Sequence, residues 1–236
     1  MLAPAADWLG RARRNCGPGF AAGAGNMVRV ITVEREYGSG GAEFAHRLAE
    51  HLGWKVVDRC LVEEVAQKAG VPTRLAEECD EQLDPWYHRL GKAFWHGSME
   101  RMPGSDTDQS MFDGERMVRL QRERVMKAAE EGHCVIVGRG AACVLGTYPG
   151  AFHAFVFTSM KRKVKWFRQH FPHAQQEPEE EILATDRRRA AYIRRFYGQD
   201  WADRKLYHLM LDSCMEDEAM LGSVLSGAGL RAAERV

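Results

Sequence analysis

The chain has 236 residues, enough for one large domain or one domain carrying a small insertion. Hydrophobic residues make up 45% and charged residues 28%, so there is apolar material for a real core. Lys+Arg and Asp+Glu are both 33, and a formally neutral chain argues against a nucleic-acid partner, which needs a basic excess. Residues 1–26 are rich in Ala, Gly and Arg, with Asp7 as their only acid, and are expected to be a disordered tail. From Val28 to Val33 the β-branched run predicts a strand buried on both faces. Gly38-Ser39-Gly40-Gly41 follows, and then Ala45, Leu48, Ala49 and Leu52 recur at helical spacing, with Gly53 placed to cap the helix.

Residues 54–57 predict a second strand ending at Asp58. Helices are expected over about 61–69 and 73–82, and again after Asp84-Pro85, where Trp86, Leu90 and Phe94 share a face. Residues 97–110 read as a loop and 113–131 as a long charged helix. Cys134–Val137 is the clearest central strand, with Gly138-Arg139-Gly140 directly after it. Phe155–Phe157 predicts another strand and Met160 the start of a basic helix. Residues 177–197 predict a helix that is acidic at its start and basic at its end, in keeping with the helix dipole. A last strand is expected over 206–211 and a last helix over 216–225. Alternating strands and helices predict an α/β fold, a parallel sheet with helices on both faces. The main domain is expected over 27–227, with a tail from 228 to 236.

The six cysteines, at 16, 60, 79, 134, 143 and 214, form no C-x-x-C pair and predict reduced, mostly buried thiols, as in a cytoplasmic protein. No run reaches the ~18–20 apolar residues of a membrane span, so no membrane partner is expected. His170-Phe171-Pro172-His173 lacks further ligands nearby, and no metal site is assigned.

The strand–glycine turn–helix unit carries the chemistry. Gly38, Ser39, Gly40 and Gly41 can turn backbone N–H groups toward an anion at the positive end of a helix. A plain tight connection is the competing reading, because no G-x-x-x-x-G-K-[ST] motif occurs. A dinucleotide fold is also suggested by Gly38-x-Gly40 and by Asp58 about 20 residues on. Against it, Glu43 stands at the third glycine position.

Several motifs in order resemble the cytidylate kinase-like family of nucleoside monophosphate kinases. They are Glu34-Arg35-Glu36-Tyr37-Gly38-Ser39-Gly40-Gly41, Asp58-Arg59, Val137-Gly138-Arg139-Gly140, Asp186-Arg187-Arg188-Arg189-Ala190, Tyr197-Gly198-Gln199-Asp200-Trp201 and Leu211-Asp212-Ser213. The resemblance runs from about Val30 to Ser213. It implies a P-loop-type sheet, a helical insertion over about 83–112 and an arginine-rich helical lid over about 177–201. It also implies ATP as phosphate donor, Mg²⁺, and a small acceptor such as CMP. Matched strand to strand with true cytidylate kinases, Gly41 stands where they have their phosphate-binding lysine, Glu43 where they have a Mg²⁺-binding Thr or Ser, and Gly140 where an acid commonly stands.

Phosphoryl transfer requires positioning and positive charge, so a substitute cation is needed. Arg35, beside the glycine turn, is the first candidate, and pairing with Glu34 or Glu36 is its alternative. By resemblance, Arg139 and Arg195 hold the acceptor with Asp58 and Arg59. Asp186, Arg187 and Arg189 map onto the lid, whose closing would bring guanidinium groups to the phosphates. A solvated charged face is the competing reading of that run. Trp86, Tyr87, Phe94 and Trp95 fall in the insertion, as core or as a cover for the acceptor base. The expected function is ATP-dependent phosphoryl transfer to a nucleoside monophosphate or related acceptor. A nucleotide-binding regulator without turnover is the alternative.

Overall fold

The computed structural model describes residues 27–58 and 107–230, with side chains described at 27–58 and 118–230. Helix and strand labels below run over those residues. Five strands, β1 (Val30–Arg35), β2 (Lys55–Val57), β3 (Cys134–Val137), β4 (Ala151–Phe157) and β5 (Leu209–Asp212), form one parallel sheet in the order β2-β3-β1-β4-β5. The expected α/β fold is present. In the dinucleotide-binding order the first strand lies beside the second, whereas here β3 comes between them. That order removes the dinucleotide reading.

The chain divides into two units. One comprises the residues up to Val57 and from Val125 onward, and the other Asp58–Arg124. In the first unit, β1 is the centre of the sheet and is buried throughout except at Arg35. Its side chains alternate between two cores, as the period of a strand requires. Ile31 and Val33 face α1 (Gly41–Leu52) and α6 (Asp217–Gly227), packing on Phe44, Leu48, Met220 and Val224. Val30 faces the other side, where the C-terminal turns of α2 (Thr107–Glu131) and the short α3 (Ala141–Leu145) supply Val125, Ala129, Ala141 and Leu145. A third cluster on that side joins Phe155 to Ile193, Trp201 and Tyr207. α4 (Met160–His170) and α5 (Pro178–Tyr197) meet around Phe167, Ile182 and Tyr37.

The register decides where a crevice can open. β3 ends at Val137, opposite Val33 of β1, while β1 runs on to Arg35 with only β4 beside it. Glu34 and Arg35 therefore project at the carboxyl edge of the sheet, where ligands of open α/β sheets bind.

Four elements differ from the sequence expectations. α2 begins at Thr107, inside the expected loop, and β4 begins at Ala151 rather than Phe155. α3, five residues long, was not expected. Residues 204–206 form a 3₁₀ turn, with the Asp203 side chain accepting the Lys205 N–H, so β5 starts only at Leu209. The helices expected between 61 and 82 and after Asp84 lie outside the described residues, as do residues 1–26, residues 231–236 and most of the insertion, whereas Ala228 and Leu230 of the expected C-terminal tail pack on the core.

Candidate functional site

The turn between β1 and α1 is shaped by two glycines in the left-handed region, Gly38 at φ 72° and Gly40 at φ 74°. Ser39 is folded inward. Its hydroxyl and its N–H both donate to the Glu36 carbonyl, at 2.8 and 3.3 Å. The N–H groups of Gly38, Gly40 and Gly41 have no acceptor among the described residues. These donors sit at the start of α1, where the helix adds partial positive charge. A Cβ at Gly40 would meet no atom of the described residues within 4 Å.

Gly41 is closed in from the side. A Cβ there would lie 2.5 Å from Arg35 Cβ and 3.0 Å from Val156 Cβ. The stem of Arg35 thus crosses the place from which a residue-41 side chain would leave. Its guanidinium continues to Gly138, where a Cβ would collide with Arg35 Nη1. Arg35 therefore spans the two glycine turns, one after β1 and one after β3. Glu34 lies beneath, buried, accepting the Gly140 N–H at 3.1 Å and the Trp201 Nε1–H at 3.4 Å. Burial pushes the Glu34 carboxyl up, and the Arg35 charge opposes that rise.

After β3 the chain takes three left-handed residues in succession, Gly138 at φ 67°, Arg139 at φ 63° and Gly140 at φ 65°. Arg139 has a Cβ in that region, a strain of about 1 kcal/mol that the surroundings must hold. The Tyr197 hydroxyl donates to its carbonyl at 3.4 Å, and the Glu34–Gly140 hydrogen bond fixes the next residue. A Cβ at Gly140 would lie 2.6 Å from the Tyr197 ring and 3.0 Å from Ile193. A side chain there would require the Tyr197 ring and the Ile193 side chain to shift.

The arginine-rich helix α5 is docked on the first glycine turn. Asp186 Oδ1 accepts the Tyr37 N–H at 2.8 Å, and Arg189 Nη1 donates to the Arg35 carbonyl at 3.0 Å. Arg189 is buried and lies over the Tyr37 ring, 5.6 Å from its centroid. Lys163 of α4, also buried, bonds Asp186 Oδ2 at 3.0 Å and Glu36 Oε2 at 2.8 Å. Arg187 is exposed and donates to the Leu183 carbonyl, and Arg195 is exposed beside Phe196.

The model of the cytidylate kinase-like family matches residues 30–214, most of the chain. The chain belongs to the cytidylate kinase-like family. A search of curated proteins finds no match. Among solved structures, an uncharacterised protein from Eubacterium ventriosum ATCC 27560 is similar with a TM-score of 0.58 at 20% identity, covering 86% of this chain and 99% of that one. Shikimate kinase from Bacteroides thetaiotaomicron has a TM-score of 0.46 at 13% identity, covering 85% of this chain and 98% of its own. Shikimate kinase from Acinetobacter baumannii has 0.47 at 14%, covering 85% and 93%.

Membership of the cytidylate kinase-like family supports phosphoryl transfer as the class of chemistry. Of the residues that the family resemblance singles out, the structure brings Arg35, Gly38, Gly40, Gly41, Arg139, Asp186 and Arg189 to the carboxyl edge of β1 and β3. Ser39 is there too, with its donors turned inward. Asp58 directly follows β2, in the second unit, and Arg59, Trp86, Tyr87, Phe94 and Trp95 lie outside the described residues. Lys163 is the member that sequence reasoning missed. The donor set suits a polyphosphate, because three N–H groups without an acceptor among the described residues stand at the start of α1 and the Arg35 guanidinium stands at the neighbouring glycine turn. It offers Mg²⁺ little: the Ser39 hydroxyl is used internally, Glu43 is exposed on the first turn of α1, and no three metal-ligating side chains cluster among the described residues. A groove of about 630 Å³ on the α4–α5 hairpin, lined by Lys161, Lys165, Arg168 and Glu179, involves none of the turn residues. No described helix is long and apolar enough to cross a membrane.

Proposed function

We propose that the protein transfers a phosphoryl group from ATP to a small acceptor of the nucleoside monophosphate class. The observation that carries this reading is the pairing of Arg35 with Gly41. Gly41, which the resemblance matches to the lysine of true cytidylate kinases, has no side chain, and the stem of Arg35 fills the space beside it and carries a cation across the two glycine turns. ATP supplies the transferred phosphoryl group. The N–H groups of Gly38, Gly40 and Gly41 hold its phosphates, because no acceptor among the described residues competes for them. Arg35 offsets the charge that develops on the transferred group, the contribution for which an arginine is worth ~10³–10⁵ in rate in related chemistry. Buried Glu34 keeps the Arg35 cation local without bonding to phosphate, since it is held by Gly140 and Trp201. Arg139 stands on the strained turn that faces this cation and binds the acceptor phosphate. In this reading Asp186 and Arg189 brace the turn, while exposed Arg187 and Arg195 remain the arginines available to a closing lid.

A second reading, nucleotide binding without turnover, is favoured by the inward Ser39 hydroxyl and by Glu43, which puts an acid where true cytidylate kinases have a hydroxyl. One assay separates the two. Purified protein with Mg-ATP is given a panel of nucleoside monophosphates, and ADP release and ATP affinity are both followed. Acceptor-dependent ADP release is expected. Tight ATP binding with no ADP from any acceptor would establish the regulator, and no ATP binding would end both.

A further inference from the structure

α4 opens with Lys161-Arg162-Lys163-Val164-Lys165, a run that reads as a solvated basic face. Lys161, Arg162 and Lys165 are exposed, but the Lys163 side chain is only 6% exposed. An ammonium is not buried without partners, and here there are two, Glu36 at 2.8 Å and Asp186 at 3.0 Å. Each partner also holds the glycine turn. Asp186 accepts the Tyr37 N–H through its other oxygen, and the Glu36 carbonyl receives both donors of Ser39. Glu36 Oε2 further accepts the Thr158 N–H at 3.2 Å, which ties it to the end of β4. The turn packs directly on α4 as well: a Cβ at Gly38 would lie 3.4 Å from Lys163 Cα and 3.2 Å from the Trp166 ring.

The charges close as a set. Lys163 and Arg189 face Glu36 and Asp186, with Arg189 Nη1 3.7 Å from Asp186 Oδ1. Without the ammonium, two carboxylates that flank Tyr37, one in sequence and one across the interface, would repel each other in a poorly solvated space. The turn between them would lose its fixed direction.

We propose that Lys163 is a positioning residue for the phosphate-binding turn, aiming the Gly38, Gly40 and Gly41 N–H groups through Glu36 and Asp186 and so coupling the α4–α5 hairpin to nucleotide binding. Only the coupling to nucleotide rests on the donor-site reading. The ordering of the turn stands on its own and is tested without ligand.

The test is residue-resolved amide hydrogen exchange on the full chain, as wild type, K163M and K163R, followed by ATP binding to each. In K163M the Tyr37 and Ser39 N–H groups are expected to exchange about tenfold faster or more, while Ile31 and Val135 in the sheet keep their rates. K163R, which keeps the charge, is expected to recover most of that protection, and ATP affinity is expected to follow the same order with a loss of about tenfold in K163M. Should K163M not fold, the neutral set E36Q/K163M/D186N removes the repulsion, and faster exchange at Tyr37 and Ser39 is still expected there. Exchange at Tyr37 and Ser39 that changes only in step with Ile31 and Val135 would reduce Lys163 to general stability and overturn the proposal. Faster turn exchange with unchanged ATP affinity would overturn the coupling. If wild type itself binds no ATP, the donor-site reading fails, and the exchange rates still decide the positioning role.

Discussion

Arg35 and Gly41 are two halves of one solution. A side chain at 41 meets Arg35 Cβ at 2.5 Å, so Gly41→Lys is expected to destabilise the fold by about 1–3 kcal/mol. Arg35→Gly removes the obstacle and the cation together, and should lower kcat ~10²–10³-fold, the usual loss for one stabilising donor. The double change Arg35→Gly/Gly41→Lys puts an ammonium on residue 41 in place of the guanidinium. It should recover much of both losses, a coupling of opposite sign to the single effects. Thermal unfolding and steady-state rates on the four proteins close the cycle, and additive losses would show that the two positions are independent. At this scale the sequence exposed Arg35 by its adjacency to the glycines. It hid Lys163, because three neighbouring cations of the same run are solvated and only the helical phase against Glu36 buries the fourth. It also led Arg189 to be read as a mobile lid cation, since a charge run carries no mark of which guanidinium a carbonyl and a tyrosine ring will take.

At the scale of elements, the centre of β4 holds an unusual residue for a buried strand. His153 accepts or shares a hydrogen bond with Thr32 Oγ1 at 2.8 Å through Nδ1, and its Nε2 lies 3.1 Å from the Gly146 carbonyl. Its ring stacks on His208, with centroids 5.1 Å apart. Burial, aided by His208, pushes His153 down to about 4. The unfolded chain takes up the proton near pH 6.5 and the folded one only near pH 4, so stability present above pH 6.5 is lost as the pH falls through that window. The loss amounts to about 3 kcal/mol. Burial raises Glu34 and Asp186, which act in the opposite sense, so the comparison must be made between proteins. Denaturant unfolding of wild type and His153→Gln from pH 7.5 to 4 should show the acid loss shrinking in the variant, and parallel curves would contradict the assignment. The same residue explains why β4 was read short: the stretch from Ala151 to Ala154 has a histidine and two alanines and lacks a β-branched run. Tertiary pairing with β1 and β5 makes it a strand. Where local pattern and burial agree, as in Cys134–Val137 and the Gly53 cap of α1, the sequence expectation and the structure coincide. α3 is too short to carry a periodicity, and it exists because Gly140 turns the chain back onto the sheet.

For the whole molecule, a neutral total hides a polarised interior. Negative Glu34, Glu36 and Asp186 and positive Arg35, Lys163 and Arg189 gather at one end of the sheet, around a turn whose Gly38, Gly40 and Gly41 N–H groups have no acceptor among the described residues. Neutral bulk composition therefore removed a nucleic-acid partner from the sequence reading but was silent on this local field. The parallel order with β1 at its centre puts that field at the edge where two glycine turns meet. The central claim is that the N–H groups of Gly38, Gly40 and Gly41 receive a nucleotide's phosphates. Titrating ATP into ¹⁵N-labelled protein and following those three amide resonances tests it most directly. The account predicts saturable downfield shifts at all three, larger than any in β2 or α6. ATP that binds while leaving those three resonances in place would contradict it.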